Sequence, residues 1–107
     1  MYRDGTGVPQ DYKHAVKWDR LAAGQGNARA QFNLGASYNN GEGIPQDYVQ
    51  AHMWLNLAGA SGHKSASESR DKTGKRMTGE QIAEAQRLAS MRYLKRHHLP
   101  PFGESSR

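Results

Sequence analysis

Residues 41–66 read GEGIPQDYVQAHMWLNLAGASGHKSA and join a glycine-rich turn to a segment of aromatic residues and alanines. Residues 5–30 read GTGVPQDYKHAVKWDRLAAGQGNARA, a string of the same pattern 36 positions earlier. When residues 1–30 are aligned with residues 37–66, 13 of the 30 positions are identical. Self-similarity at a fixed period in this range predicts a solenoid, in which short units stack and each unit packs against its neighbours.

One unit contains two helices. Ala30, Leu34 and Tyr38 recur at helical spacing and predict a first helix, on which Gly35 would let a second helix come close. The glycines at 41 and 43 end that helix, and Asp47 is placed to cap the next one, with Gln50 three residues later. The second apolar stripe consists of Tyr48, Ala51, Trp54, Leu55 and Ala58.

This order of residues resembles the Sel-one-like repeat (SLR), a relative of the tetratricopeptide repeat. The positions that carry the resemblance are Ala30, Leu34, Gly35, Tyr38, Gly41, Gly43, Asp47, Ala51, Trp54, Ala58, Gly62 and Ala66. The resemblance implies an all-α fold, an α/α superhelix of tetratricopeptide-like helix-turn-helix repeats of 36 residues with a C-terminal capping helix. It also implies an adaptor or scaffold that binds a protein or peptide.

The repeat register divides the chain into four parts. We expect a partial first repeat over 1–30 with only its second helix (11–24), and a complete repeat over 31–66. The part from 67 to 95 holds most of a polar helix (64–76) and a capping helix (79–95). Thr78 is placed to cap the second of these helices, with Gln81 three residues later. Residues 96–107 contain two prolines and are expected to form a disordered tail.

The resemblance also indicates where a partner would bind. In tetratricopeptide-like arrays the first helix of each pair lines the concave surface, and its positions away from the packing stripe contact ligands. In this chain those positions are Arg29, Phe32, Ala36, Asn39 and Asn40. Phe32 also fits a packing role.

No residue pattern in the sequence predicts a catalytic, cofactor or metal site. The histidines lack the spacing of helical metal ligands, no serine lies in a nucleophile motif, and the Gly-x-Gly pairs follow a helix rather than a strand. We therefore interpret the five histidines as surface residues, and Trp18 and Trp54 as packing residues. Cysteine-rich relatives imply β-lactam binding and hydrolysis as an alternative, which the absence of cysteine disfavours.

Charge and apolar runs limit the class of partner. The net charge is +5, but the basic residues are spread along the chain without alternating aromatic residues, so we expect a protein or peptide rather than a nucleic acid. No apolar run reaches the roughly 18 residues of a membrane span. The first residues contain no signal peptide, which favours the cytoplasm unless the natural start lies upstream.

The first repeat lacks its partner helix, so the apolar side of its second helix needs a cover. Tyr12, Ala15 and Trp18 lie on that side. The chain is then either a fragment of a longer array or is covered by another molecule. A twofold homodimer that packs these faces together is one solution, because such a contact closes on itself. A self-associating structural module without its own ligand is therefore an alternative to the adaptor.

Overall fold

The computed structural model describes residues 9–97, with side chains for residues 12–97. This part of the chain contains five helices and no strand: α1 (Pro9–Gly24), α2 (Ala28–Asn40), α3 (Tyr48–Ala60), α4 (Ala66–Gly74) and α5 (Gly79–Arg96). Helix α2 packs between α1 and α3, and α3 also packs against α4 and α5. The predicted all-α fold with a C-terminal capping helix is confirmed.

Side chains at the helix starts explain where the helices begin. Asp47 precedes α3 and its Oδ1 accepts a hydrogen bond from the Gln50 amide at 3.1 Å. Thr78 precedes α5, where its side chain and that of Gln81 each accept from the other residue's backbone amide. Both caps were predicted, and each satisfies amides that have no partner inside the helix. Asn27 caps α2 in the same way.

A glycine sets the distance between the two helices of the complete repeat. A Cβ atom at Gly35 of α2 would lie 2.8 Å from Leu55 Cγ and 3.2 Å from the Ala51 carbonyl oxygen of α3. Contacts that short do not occur between real side chains, so only glycine permits this approach. The close packing predicted from Gly35 is confirmed.

The core lies around α3 and joins every helix except α4. Its buried members are Val16, Ala23, Ala30, Leu34, Met53, Trp54, Leu57, Ala85 and Ala89. Ala85 and Ala89 belong to α5, and their small side chains allow that helix to cover the outer side of α3. The burial predicted for Trp54 is confirmed, since only 5% of its surface is exposed.

The interpretation of Trp18 as a packing residue is wrong, since 67% of it is exposed, in agreement with the expectation that this side of α1 lacks a cover. It occupies the position equivalent to Trp54 on α1, but no element of the described region covers that side of α1. Tyr12 and Leu21 are exposed as well, at 43% and 56%.

Some expectations concern parts of the chain outside the described residues. Residues 1–8, which hold the start of the partial first repeat, and residues 98–107, most of the predicted tail, lie there. Within the described helices, none is long and apolar enough to cross a membrane.

Candidate partner-binding surface

The five predicted contact residues lie on α2 within a sector of about 100° around the helix axis, because successive residues turn by about 100°. Arg29 and Asn40 are exposed near the two ends of the helix. They are separated by about 16 Å at the helical rise of 1.5 Å per residue. Ala36 lies between them and is half-buried. The solvent face of α2 is thus a shallow strip with polar side chains at both ends.

Phe32 forms one edge of this strip. Its ring stacks on the imidazole of His63 with a centroid separation of 4.1 Å and an interplanar angle of 5°. The stack is half-buried on both sides, and His63 Nδ1 accepts a hydrogen bond from the Ser65 amide at 3.2 Å. Phe32 therefore packs against the turn between α3 and α4 and still presents part of its ring to solvent.

Asn39 joins α2 to two other segments. Its Oδ1 accepts a hydrogen bond from Thr73 Oγ1 of α4 at 3.3 Å, and its backbone oxygen accepts from Gln46 Nε2 at 2.9 Å. Asn39 is half-buried, whereas Thr73 is only 2% exposed. Asn39 thus links α2 to α4 through one hydrogen bond, a role that the sequence did not indicate.

One residue of the strip was missed by the sequence-based prediction. Asn33 is exposed and lies four residues after Arg29, so the two side chains share one face of α2. Burial raises the pKa of Asp19 on α1, and the nearby side chain of Asn33 lowers it by a smaller amount. The spacing from Arg29 was the signal that would have identified Asn33.

One histidine corrects the interpretation of all five as surface residues. His52 on α3 is 4% exposed, because the end of α4 covers it and a Cβ at Gly74 would lie 3.8 Å from its Nε2. Its Nδ1 has no hydrogen-bond partner among the described residues. Burial lowers the pKa of His52, the nearby Arg70 lowers it further, and Asp71 opposes this shift.

The side chains around the strip are of kinds that can bind a partner. In the described part of the chain, no three His, Cys, Asp or Glu side chains are grouped so that they could hold a metal ion. The side chains that lie together are an aromatic stack, amides and one guanidinium. These groups can form hydrogen bonds, stack and attract an anion.

The comparisons with known proteins agree with the all-helical repeat architecture. A model of the Sel1 repeat matches residues 1–27 and 28–63, together more than half of the chain. Among solved structures, the chain is similar to c5321, a protective antigen present in uropathogenic Escherichia coli strains that displays an SLR fold, with a TM-score of 0.74 and 38% identity. The similarity covers 86% of this chain but 20% of c5321, so the chain spans about a fifth of that protein's length. A search of curated protein sequences found no match.

These matches identify the repeat itself. The Sel1 repeat is a helical hairpin repeat, and proteins built from it are generally protein-interaction scaffolds and typically not enzymes. The two matched segments lie end to end, and the helices α1 to α3 fall within them. The chain belongs to the Sel1-repeat family.

Proposed function

We propose that the chain is an adaptor whose protein or peptide partner binds along the exposed strip of α2. The partner contacts are Arg29, Phe32, Ala36, Asn39 and Asn40. The observation that carries the proposal is the form of this strip: a half-exposed aromatic ring on one edge, a small residue in the middle and hydrogen-bonding groups at both ends. An extended peptide offers carbonyl and amide groups at regular intervals, and these suit the amide side chains of Asn39 and Asn40.

Arg29 gives the partner a preferred charge. It is exposed and lies in the first turn of α2, where the positive end of the helix dipole adds to its own charge. We therefore expect a peptide with a carboxylate near this end. The middle of the peptide would lie over Ala36, where a larger side chain would obstruct its approach.

A peptide-display experiment tests the proposal. Peptides of about 12 residues are selected on the whole chain, and their affinities are measured for Arg29→Glu, Asn40→Ala and the control Lys72→Glu, which changes an exposed charge on α4. We expect both α2 variants to weaken the selected peptides, Arg29→Glu by about tenfold through charge repulsion, and Lys72→Glu to leave them unchanged. Asn40→Ala is preferred to Asn39→Ala because Asn39 also accepts the Thr73 bond. Equal affinities for all four chains would contradict the assignment of α2.

A further inference from the structure

A second surface runs along α1, away from the strip on α2. It contains a groove of about 410 Å³ lined by Lys13, Val16, Lys17, Arg20 and Leu21 of α1 and by Gly43 and Ile44 of the turn after α2. The three cationic residues follow one another at spacings of four and three, so they form one line along the helix. The lining residues include no acidic side chain. The groove therefore combines an apolar floor with a positive rim.

The internal repeat shows what an equivalent surface looks like when a helix covers it. Helix α3 is the copy of α1 found 36 residues later. On α3, Met53, Trp54 and Leu57 are buried and form one cluster with Ala85 and Ala89 of α5. In addition, the guanidinium of Arg92 on α5 lies 4.7 Å from the centroid of the Trp54 ring. On α3, then, this surface is a docking site for a helix.

The corresponding positions of α1 are Lys17, Trp18 and Leu21, and all three are exposed. Trp18 and Leu21 preserve the apolar residues of the covered surface, whereas Lys17 replaces Met53. Two neighbouring positions also change from an uncharged to a positively charged residue, since α1 has Lys13 and Arg20 where α3 has Val49 and Asn56. The apolar anchors of a helix-docking site are thus retained on α1, and a line of positive charge runs beside them.

We propose that this α1 face, formed by Lys13, Lys17, Trp18, Arg20 and Leu21, binds an acidic amphipathic helix of a partner protein. The partner helix covers α1 in the way that α5 covers α3. Its apolar residues pack on Trp18 and Leu21, and its carboxylates lie beside Lys13, Lys17 and Arg20. Arg20 is held in place by a hydrogen bond from its Nη2 to the Tyr38 hydroxyl at 3.3 Å. Tryptophan and arginine, both present on this face, are enriched among the residues that anchor protein interfaces.

Charge favours this occupant over two others. A second copy of the chain, packed by a twofold axis, would bring Lys13, Lys17 and Arg20 of both copies together, and like charges across an interface oppose association. A nucleic acid would pair its phosphates with the cations. It would leave the apolar groups of Val16, Leu21 and Ile44 without a counterpart. An acidic amphipathic helix uses both the rim and the floor.

The test uses two synthetic peptides of about 20 residues. One carries Leu and Ala along one helical side and Glu beside it, and its twin has Lys in place of every Glu. Fluorescence anisotropy measures their binding to the whole chain. We expect saturable binding of the acidic peptide that weakens as salt is added, because the charges lie at the surface. We also expect at least about tenfold weaker binding of the basic twin.

Variants assign this binding to the α1 face. Lys17→Glu combined with Arg20→Glu should lower the affinity for the acidic peptide at least about tenfold, and Trp18→Ala by a similar factor. Lys72→Glu reverses an exposed charge on α4, outside both proposed surfaces, so it is the matched control and should leave the affinity unchanged. Circular dichroism checks that each variant keeps its helices, which we expect because the changed side chains are exposed.

Four results would overturn the proposal. They are no saturable binding at about 1 mM peptide, equal affinity for both peptides, an effect of Lys72→Glu as large as that of the α1 variants, and a dimer in sedimentation velocity that Lys17→Glu abolishes or strengthens. A single-stranded oligonucleotide that binds the chain more tightly than the acidic peptide does, and that loses affinity in Lys17→Glu, would instead assign the face to nucleic acid. Since the strip on α2 has its own test, either surface can fail without the other.

Discussion

Trp18 and Trp54 are the same residue at equivalent positions of two repeats, yet 67% of one side chain is exposed and 5% of the other. Replacing each by alanine therefore measures what its surroundings contribute. Trp54 packs in the core beneath α5 and beside Arg92. Trp18 has no comparable cover among the described residues.

The expected losses differ by several kcal/mol. Removal of a buried tryptophan costs about 3–5 kcal/mol, because it leaves a cavity and exposes the surrounding apolar groups. An exposed side chain costs within about 0.5 kcal/mol. A domain of this size has a free energy of unfolding of about 5–15 kcal/mol. Trp54→Ala should thus remove about a fifth or more of the stability, and Trp18→Ala almost none.

Urea denaturation followed by far-ultraviolet circular dichroism measures both losses. With a slope of about 2 kcal/mol per molar urea, Trp54→Ala should lower the midpoint by roughly 2 M, whereas Trp18→Ala should hardly move it. Equal shifts in the two variants would refute the reasoning, because they would show that both repeats bury their tryptophan alike. A small shift for Trp54→Ala would show instead that α5 does not cover this position in solution.

Three further predictions follow from the packing. Gly35→Ala should lower the stability by up to about 2 kcal/mol, because overlap with Leu55 outweighs the gain in helix propensity. Its matched control Gly59→Ala, whose new Cβ would lie 3.4 Å from Ser67 Oγ, should raise the stability by up to about 1 kcal/mol. A higher melting temperature for Gly35→Ala than for Gly59→Ala would contradict the close approach of α2 and α3 at Gly35. Thr78→Ala removes the hydrogen bond that the Gln81 amide donates to Thr78 Oγ1 at the start of α5 and should cost about 1 kcal/mol by urea denaturation, whereas an unchanged midpoint would show that this end of α5 frays in solution. The burial of His52 lowers its pKa in the folded state, so its contribution to stability should be complete above about pH 6.5 and decrease as the pH falls from there toward the lowered pKa. The variant His52→Gln should therefore lose less stability than the parent over that pH interval. The control His97→Gln, which changes an exposed histidine, should lose as much stability as the parent.

Much of the local structure follows from residues close together in the sequence. Asp47 and Thr78 are found at the helix starts where they were predicted, because a capping side chain needs only an amide three residues later. The close approach at Gly35 was also predicted, since the lack of a Cβ is a property of the residue itself. The internal repeat then determined that the helices come in pairs, and hence the fold class and the family.

Contacts between distant residues had to be seen in the tertiary structure. Asn39 meets Thr73 34 residues later, and Phe32 stacks on His63 although neither spacing has a sequence signature. The burial of His52 depends on where the short helix α4 ends. Trp18 and Trp54 show most clearly what the sequence leaves open, because the same residue at equivalent positions of two repeats differs in exposure. The sequence determined which side chains each helix offers for packing, but burial depends on whether another element reaches that side, and only the docking of α5 on α3 decided it.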